Sequence, residues 1–269
     1  MATPAPDVPK AIKVEHVSIT YQTALQGKQT LVGTLSRLRR RRKIVKEIRA
    51  VRDVSFEVPR GSVLGIIGHN GAGKSTLVRA MAGILPPTEG RIEVHGRVST
   101  LLALGVGFDR KLTGRQNVVL GGLASGLSRA ELADKYDEIV AFAELEEFMD
   151  LPMRTYSSGM QSRLAFAVAV TMAPDILLID EALSTGDARF KRKSFNKMRE
   201  LCSADRTIVI VSHAMKSMRE LCDEVIWLHK GQIKMYGPPQ KVIKAYSKFF
   251  SIDVDEDPAE EDVVSEEDV

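Results

Sequence analysis

The chain has 269 residues, of which 44% are hydrophobic and 27% are charged, and its formal net charge is +3. This length and hydrophobic content can bury an α/β core with a small helical insert. No run approaches the roughly 18 apolar residues of a membrane-spanning helix, and residues 1–6 lack the basic and apolar regions of a secretory signal, so we expect a cytosolic chain. Cys202 and Cys222 form no Cys-x-x-Cys pattern, which predicts reduced core thiols and no zinc or haem site.

Two segments near the start alternate apolar and polar residues. Residues 11–21 and 51–58 therefore predict half-exposed antiparallel strands. Between them lies a basic insertion, about residues 22–50, in which residues 37–46 include seven Lys or Arg. It could be a solvated loop, a nucleic-acid patch or a membrane-surface patch. No aromatic residues alternate with these Lys and Arg residues, which argues against nucleic-acid binding. Each Lys or Arg near an anionic leaflet would contribute roughly 1 kcal/mol to membrane binding.

A glycine-rich loop follows the next apolar run. Residues 63–67 predict a buried strand, and residues 68–75 match the P-loop pattern at every required position. In such a loop backbone N–H groups turn towards phosphate oxygens, Lys74 adds a positive charge and the Ser75 hydroxyl ligates Mg²⁺. Residues 74–82 predict a helix whose N-terminal dipole favours the same anion. The nucleotide-binding residues predicted here are Gly68, His69, Asn70, Gly71, Ala72, Gly73, Lys74, Ser75 and Thr76.

Two acidic residues end a second apolar run. The uninterrupted residues 176–179 predict a central parallel strand. Because ligands bind outside the carboxyl ends of such strands, we expect Asp180 to face the metal and Glu181 to face the water that attacks the terminal phosphate. Residues 208–211 predict another strand, followed by His213. A lone histidine after a strand is more often structural than catalytic.

Further motifs resemble those of ATP-binding cassette proteins. Residues 156–160 precede a long apolar helix and resemble the family's signature motif, although Ser157, Ser158 and Gly159 would also suit an ordinary helix-capping turn. Residues 184–187, which end at Asp187, resemble its D-loop, and His213 resembles its switch histidine. These motifs stand in the family's order around the P-loop, so the chain is identified as a member of this family.

The resemblance implies a fold and a set of roles. The fold would be α/β, a P-loop NTPase core with a mainly parallel sheet, an antiparallel β subdomain and a helical insert at about residues 112–172. Lys74, Glu181 and His213 would act in catalysis, Ser75 and Asp180 would hold Mg²⁺, and Tyr21 would pack against adenine. The cassette would span residues 1–250. Residues 251–269 carry ten acids and no bases, which predicts a disordered, solvated tail, with partner docking as the alternative.

A closer resemblance is to the cassettes that energise export of lipid-linked polysaccharides, such as O-antigens, teichoic acids, capsules and galactans. It covers about residues 10–250 and is carried by residues 68–71, 105–108, 112–117, 156–160, 181–187 and 221–228. Two features depart from the wider superfamily. No glutamine occurs near Leu104, where the loop into the helical insert usually has one, and the signature has Ser158 and Met160. The Ser158 hydroxyl can still bind a γ-phosphate.

One P-loop and one signature occur in the chain, and a cassette site closes only when the signature of one copy covers ATP held by another. The resemblance therefore implies a homodimer enclosing two ATP molecules, in which residues 157–159 of one chain meet the nucleotide of the other. It also implies a dimeric integral membrane permease, a lipid-linked polysaccharide substrate, no nucleic acid, and a peripheral position at the cytoplasmic face of the plasma (inner) membrane.

Three alternatives stay open. The chain could be a soluble cassette ATPase that acts on a non-membrane target such as ribosomes or DNA. It could belong to an exporter of another substrate class. It could also be a phosphate-binding module without hydrolysis, which the presence of both Glu181 and His213 opposes.

Overall fold

The computed structural model describes residues 9–25, 44–101, 108–124, 126–172, 174–180, 187–204 and 206–251. Within them, two sheets and a group of helices carry the fold. A three-stranded antiparallel sheet has the order β2-β1-β4, formed by β1 (Lys10–Leu25), β2 (Ile44–Pro59) and β4 (Glu89–Val94). Helix α1 (Lys74–Met81) follows β3 (Val63–Ile67) and packs against this sheet.

The central sheet has six strands in the described part of the chain, in the order β5-β6-β7-β3-β8-β9. All neighbours in it are parallel except the last pair, which is antiparallel. Besides β3, the strands are β5 (Val98–Leu101), β6 (Ile176–Asp180), β7 (Thr207–Val211), β8 (Glu224–His229) and β9 (Gln232–Gly237). The central strands β3 and β7 are buried along their whole length, as expected for parallel strands covered on both faces.

Helices cover the sheet and form the predicted insert. The insert contains α2 (Gly114–Ala124), α3 (Arg129–Ala143) and α4 (Ser158–Thr171), with short 3₁₀ turns at Glu146–Phe148 and Met153–Thr155. The core continues with α5 (Ala188–Ser203), α6 (Met215–Leu221) and α7 (Pro239–Phe250). None of the helices within the described ranges is long and apolar enough to cross a bilayer.

Three apolar clusters hold these layers together. One lies on the side of the central sheet covered by α5, α6 and α7, and a second packs α1 between the two sheets. The third lies inside the helical insert and includes Tyr156 of the signature turn. Cys222 is buried, Cys202 is partly buried, and both thiols are free. Burial raises the pKa of Cys202 to about 11 and raises that of Cys222 further, so both stay protonated at neutral pH.

The first two strands are longer than the alternating pattern indicated. Their pairing continues to the Leu25–Ile44 pair, so residues 22–25 and 44–50 belong to the strands and not to the predicted insertion. The rest of that insertion, residues 26–43, lies outside the described residues, as do residues 252–269 of the acidic tail.

Candidate nucleotide-binding site

Three strands of the central sheet end in one row beside the P-loop. Val211 of β7 pairs with Asp180 of β6 on one side and with Ile66 of β3 on the other. Neighbouring strands lie about 4.8 Å apart, so Asp180 is about two strand spacings from Ile66, which lies two residues before the loop. The register therefore brings the P-loop, Asp180 and the segment containing His213 to the same edge of the sheet.

Backbone contacts hold the loop in shape from outside. Gly231, in the turn between β8 and β9, donates its N–H to the Ala72 carbonyl at 3.0 Å. Gly73 has φ 103°, and a Cβ at this position would lie 2.3 Å from the Ala50 carbonyl oxygen. Only glycine tolerates both the left-handed backbone and this close approach. Residues far apart in sequence thus fix the backbone conformation of the loop.

Lys74 places its positive charge under this loop. Its side chain is 5% exposed, and the ammonium donates hydrogen bonds to the carbonyls of Gly68 at 2.7 Å and His69 at 3.2 Å. A buried ammonium is costly unless hydrogen-bonded, and these carbonyls, at the start of the loop, satisfy it. The amine is therefore held where a bound phosphate chain would lie.

Tyr21 and Thr76 meet above the first turn of α1. Their hydroxyls share a 3.3 Å hydrogen bond, although the residues are 55 apart in sequence. The tyrosine is 36% exposed, so part of its ring is open to a ligand. This geometry places the predicted adenine contact beside the phosphate loop.

The oxygens of Ser75 and Asp180 suit Mg²⁺, because hydroxyl and carboxylate oxygens are the hard donors that this cation prefers. Ser75 is the second residue of α1, and Asp180 is the last residue of β6; both are partly buried. The residues predicted to hold Mg²⁺ therefore fit the cation chemically. Glu181 lies outside the described residues, as do Leu104 and residues 184–186.

His213 follows β7 by two residues and is exposed. Its neighbour Ser212 accepts a hydrogen bond from the Ala214 N–H at 3.0 Å and so shapes the turn that carries the histidine. The position, at the same sheet edge as Asp180, suits contact with a γ-phosphate.

The signature turn lies at the surface of the insert. Ser157 is the N-cap of α4, and its hydroxyl accepts the Met160 N–H at 3.1 Å. Ser158 begins the helix, and both serines are exposed. Capping and phosphate binding are compatible here, because the first N–H groups of a helix and its dipole favour an anion. Tyr156, by contrast, is buried and donates its hydroxyl to the Phe148 carbonyl at 2.6 Å.

The loop that opens the insert depends on a residue to which the sequence assigned no role. Asn117 is fully buried and accepts the Asp109 N–H at 2.8 Å. Its amide donates to the carbonyls of Asp109, Leu112 and Thr113. Gln116 forms a capping box with Thr113 at the start of α2, the first helix of the insert.

His69 of the P-loop packs against a group of rings that the sequence did not reveal. The His69 ring contacts the rings of His229 at 5.2 Å and Phe250 at 6.2 Å between centroids. Burial, with the charges of Lys234, His69 and Lys230, lowers the pKa of His229. These rings come from β8 and α7, so only the tertiary fold brings them to the loop.

Asp187 is the N-cap of α5, and its carboxylate accepts the Phe190 N–H at 2.8 Å. Its other oxygen lies 3.9 Å from the Arg163 guanidinium of the signature helix. The side chain is largely exposed. Asp187 is therefore linked to the signature helix within one chain and is also open to a partner.

Comparison with known proteins adds to this geometry. A family model described as ABC transporter matches residues 51–184. The O-antigen export system ATP-binding protein RfbB of Klebsiella pneumoniae is 42% identical over 199 residues, which cover 74% of this chain and 81% of that protein. The teichoic acids export ATP-binding protein TagH of Lactococcus lactis is 42% identical over 238 residues, 88% of this chain and 51% of that protein.

The chain spans about half the length of several curated relatives that it matches, TagH among them. Among solved structures, it resembles the dimeric, post-hydrolysis state of the cassette MJ0796 bound to ADP and Pi, with a TM-score of 0.68 and 22% identity over 85% of this chain and 98% of that one. At this identity the likeness establishes the fold alone.

Proposed function

Because this chain belongs to the ABC transporter family, as an ATP-binding member, we propose that it binds and hydrolyses ATP as a homodimer and drives export of a lipid-linked polysaccharide through a separate membrane subunit. The observation that carries the ATPase assignment is the sheet register. It aligns Asp180 and Val211 with Ile66, the residue before the last position of β3. A P-loop, a carboxylate and a histidine turn then share one sheet edge, where α/β folds bind ligands.

Each residue then has a physical task. Lys74 and the loop N–H groups neutralise and orient the β- and γ-phosphates, and Tyr21 packs against the adenine. Ser75 and Asp180 would hold Mg²⁺, which would supply positive charge against the charge that develops on the phosphate oxygens. Glu181 orients and polarises the attacking water, and His213 contacts the γ-phosphate.

A second copy completes the site. The signature serines are exposed at the N-terminus of α4, while the P-loop is braced within the core. An isologous dimer would place residues 157–159 of each chain on the ATP of the other, so that two nucleotides join the two copies. Hydrolysis removes the phosphate that both copies contact, and the dimer opens.

The substrate assignment rests on the relatives. RfbB is named for O-antigen export and TagH for teichoic acid export, so the two names point to polymers of different chemistry. Similar cassettes that serve both polymers fit a subunit that supplies energy and leaves recognition of the polymer to a membrane permease. The chain would sit at the cytoplasmic face of the inner membrane, held there by a permease dimer.

The test of hydrolysis uses Glu181→Gln. This variant should retain ATP affinity, lose turnover and accumulate an ATP-loaded dimer, because the carboxylate acts on the water and not on ground-state binding. Hydrolysis, nucleotide binding and sedimentation would be measured with Glu147→Gln as control, since Glu147 is exposed on the insert. Wild-type turnover in Glu181→Gln would refute the assignment.

The test of substrate class is separate. The tagged chain would be purified from detergent-solubilised membranes of its own host, and an integral membrane permease should co-purify. Depletion of the chain should then leave a lipid-linked glycan on the cytosolic side of the membrane. Co-purification with ribosomes or DNA instead would favour the non-membrane alternative.

A further inference from the structure

Glu144 ends helix α3 in a left-handed backbone conformation, with φ 54° and ψ 51°. Glycine is the usual residue at such a position, because any side chain there costs free energy. The contacts of the Glu144 side chain must therefore offset the cost of this backbone conformation.

The two oxygens of this carboxylate bind two different helices. Oε2 accepts a hydrogen bond from Arg163 Nη2 at 2.7 Å, and Oε1 accepts one from Lys193 Nζ at 2.8 Å. Arg163 lies in α4, six residues after Ser157, and Lys193 lies in α5, six residues after Asp187. The carboxylate thus bridges the signature helix and the helix capped by Asp187.

Both cations also bind the C-terminus of α3. Arg163 Nε donates to the Ala143 carbonyl at 3.0 Å, and Lys193 Nζ donates to the Phe142 carbonyl at 3.0 Å. The end of a helix carries partial negative charge, which favours cations there. Glu144 therefore completes a junction in which three helices meet.

An apolar surface shields this junction from water. The Arg163 guanidinium lies over the Phe190 ring at 5.0 Å, and the Lys193 ammonium lies over the Phe142 ring at 4.8 Å. The Arg163 side chain is only 18% exposed, and those of Glu144 and Lys193 are about one-third exposed. Ion pairs in such a setting are screened less than pairs at the open surface.

The junction extends to the predicted nucleotide-binding residues. Arg163 Nη1 lies 3.9 Å from the Asp187 carboxylate, whose other oxygen caps α5. One guanidinium therefore contacts Glu144 and lies close to Asp187. Hydrogen bonding by Lys193, with the charges of Lys193, Arg163 and Arg189, lowers the pKa of Glu144, so the bridge stays ionised at neutral pH.

We propose that Glu144 is a positioning residue whose carboxylate fixes α4 against α5, so that residues 157–159 and Asp187 meet the ATP of the second copy as one unit. This inference rests on the proposed function, because the signature acts only across the dimer. The junction lies in the insert and α5, whereas the P-loop is braced by β2, β8, the turn between β8 and β9, and α7. Loss of the bridge should therefore reduce kcat and leave single-chain ATP affinity unchanged.

The experiment compares Glu144→Gln with wild type in the full chain. The kcat for ATP should fall about fivefold or more, which corresponds to a typical coupling between sites, while the Kd for a fluorescent ATP analogue stays the same. Glu147→Gln, three residues further along and exposed, should match wild type in both measurements. Arg163→Gln should lower kcat as well, and the double variant should be no slower than the slower single variant.

Glu144→Gly separates positioning from helix capping. Glycine suits the left-handed cap but removes the bridge, so its Tm should exceed that of Glu144→Gln while its kcat is equally low. Wild-type kcat in either variant would overturn the inference and leave the proposed function standing. Absence of ATP hydrolysis by the wild-type chain would overturn the proposed function and this inference with it.

Discussion

The phosphate-binding loop is anchored on the central sheet, with only Asn70 and Gly71 exposed at its tip, whereas the signature turn lies at the surface of the insert, and different contacts hold them. Backbone groups from β2, β8 and the turn between β8 and β9 surround the loop, with Lys74 buried beneath it. Side-chain contacts hold the signature helix, namely the Ser157 cap, the Tyr156 hydroxyl and the Arg163 ion pairs. The loop is therefore shaped within one chain, while the signature turn is arranged to meet another molecule.

The largest expected effect is that of Lys74→Ala. Removing this ammonium deletes the charge that faces the phosphates and leaves the Gly68 and His69 carbonyls without their donor. We expect kcat/KM for ATP to fall by at least about 100-fold, the usual loss for a preorganised donor, with ATP binding strongly weakened. Hydrolysis and nucleotide-binding assays measure this, and Arg79→Ala on the exposed side of α1 is the control. ATP affinity close to wild type in Lys74→Ala would contradict the role of Lys74 in phosphate binding.

Substitutions of two loop glycines test how much the neighbouring backbone stabilises the P-loop. Gly73→Ala places a Cβ 2.3 Å from the Ala50 carbonyl oxygen, whereas a Cβ at Gly71 meets nothing within 4 Å, and both residues have positive φ. Each substitution should cost about 1 kcal/mol for the left-handed backbone, and Gly73→Ala about 2 kcal/mol more for the steric overlap. Denaturant unfolding would measure the difference, and equal losses would show that the bracing contributes little.

The phosphate-binding loop is also the part that the sequence predicted well. The P-loop, the strand before it and the helix after it are contiguous, so local patterns reveal them, and the fold is confirmed. The sequence predicted β1 and β2 too short. Charged residues such as Arg49 and Glu47 weaken the alternating pattern, and the pairing of the two strands shifts register near His16. The ion pairs that join α3, α4 and α5 could not be predicted, since Glu144 binds residues 19 and 49 positions away on two other helices.

At the signature turn, substitutions of the two serines separate helix capping from phosphate binding. Ser157→Ala removes the N-cap of α4 and should cost about 1 kcal/mol of stability, whereas Ser158→Ala removes no such cap. Both should lower ATP hydrolysis by the dimer, roughly tenfold for one lost hydrogen bond to a charged phosphate, and neither should change ATP affinity of a single chain. A lower Tm in Ser158→Ala than in Ser157→Ala would reverse this assignment.

The smallest effect concerns the buried hydroxyl behind the signature turn. Tyr156 donates to the Phe148 carbonyl, and burial raises its pKa to about 12. An unfolded tyrosine ionises near pH 10, so the neutral phenol stabilises the folded state fully below pH 10, and this stability is lost as pH rises towards 12. Tyr156→Phe should cost about 1 kcal/mol at pH 8 for the lost hydrogen bond.

The stability difference between wild type and Tyr156→Phe should therefore shrink between pH 10 and 12, because only the wild type has this group to ionise. Tyr236 and Tyr246, whose pKa values are also raised, titrate in both proteins and cancel. Tyr236→Phe is the matched control, because its hydroxyl binds Glu224 in the core sheet. It should show a pH-dependent difference of its own but leave ATP hydrolysis unchanged, whereas Tyr156→Phe should slow hydrolysis about twofold through a looser signature turn. A difference that stays constant up to pH 12 would mean that the Tyr156 hydroxyl does not anchor the turn.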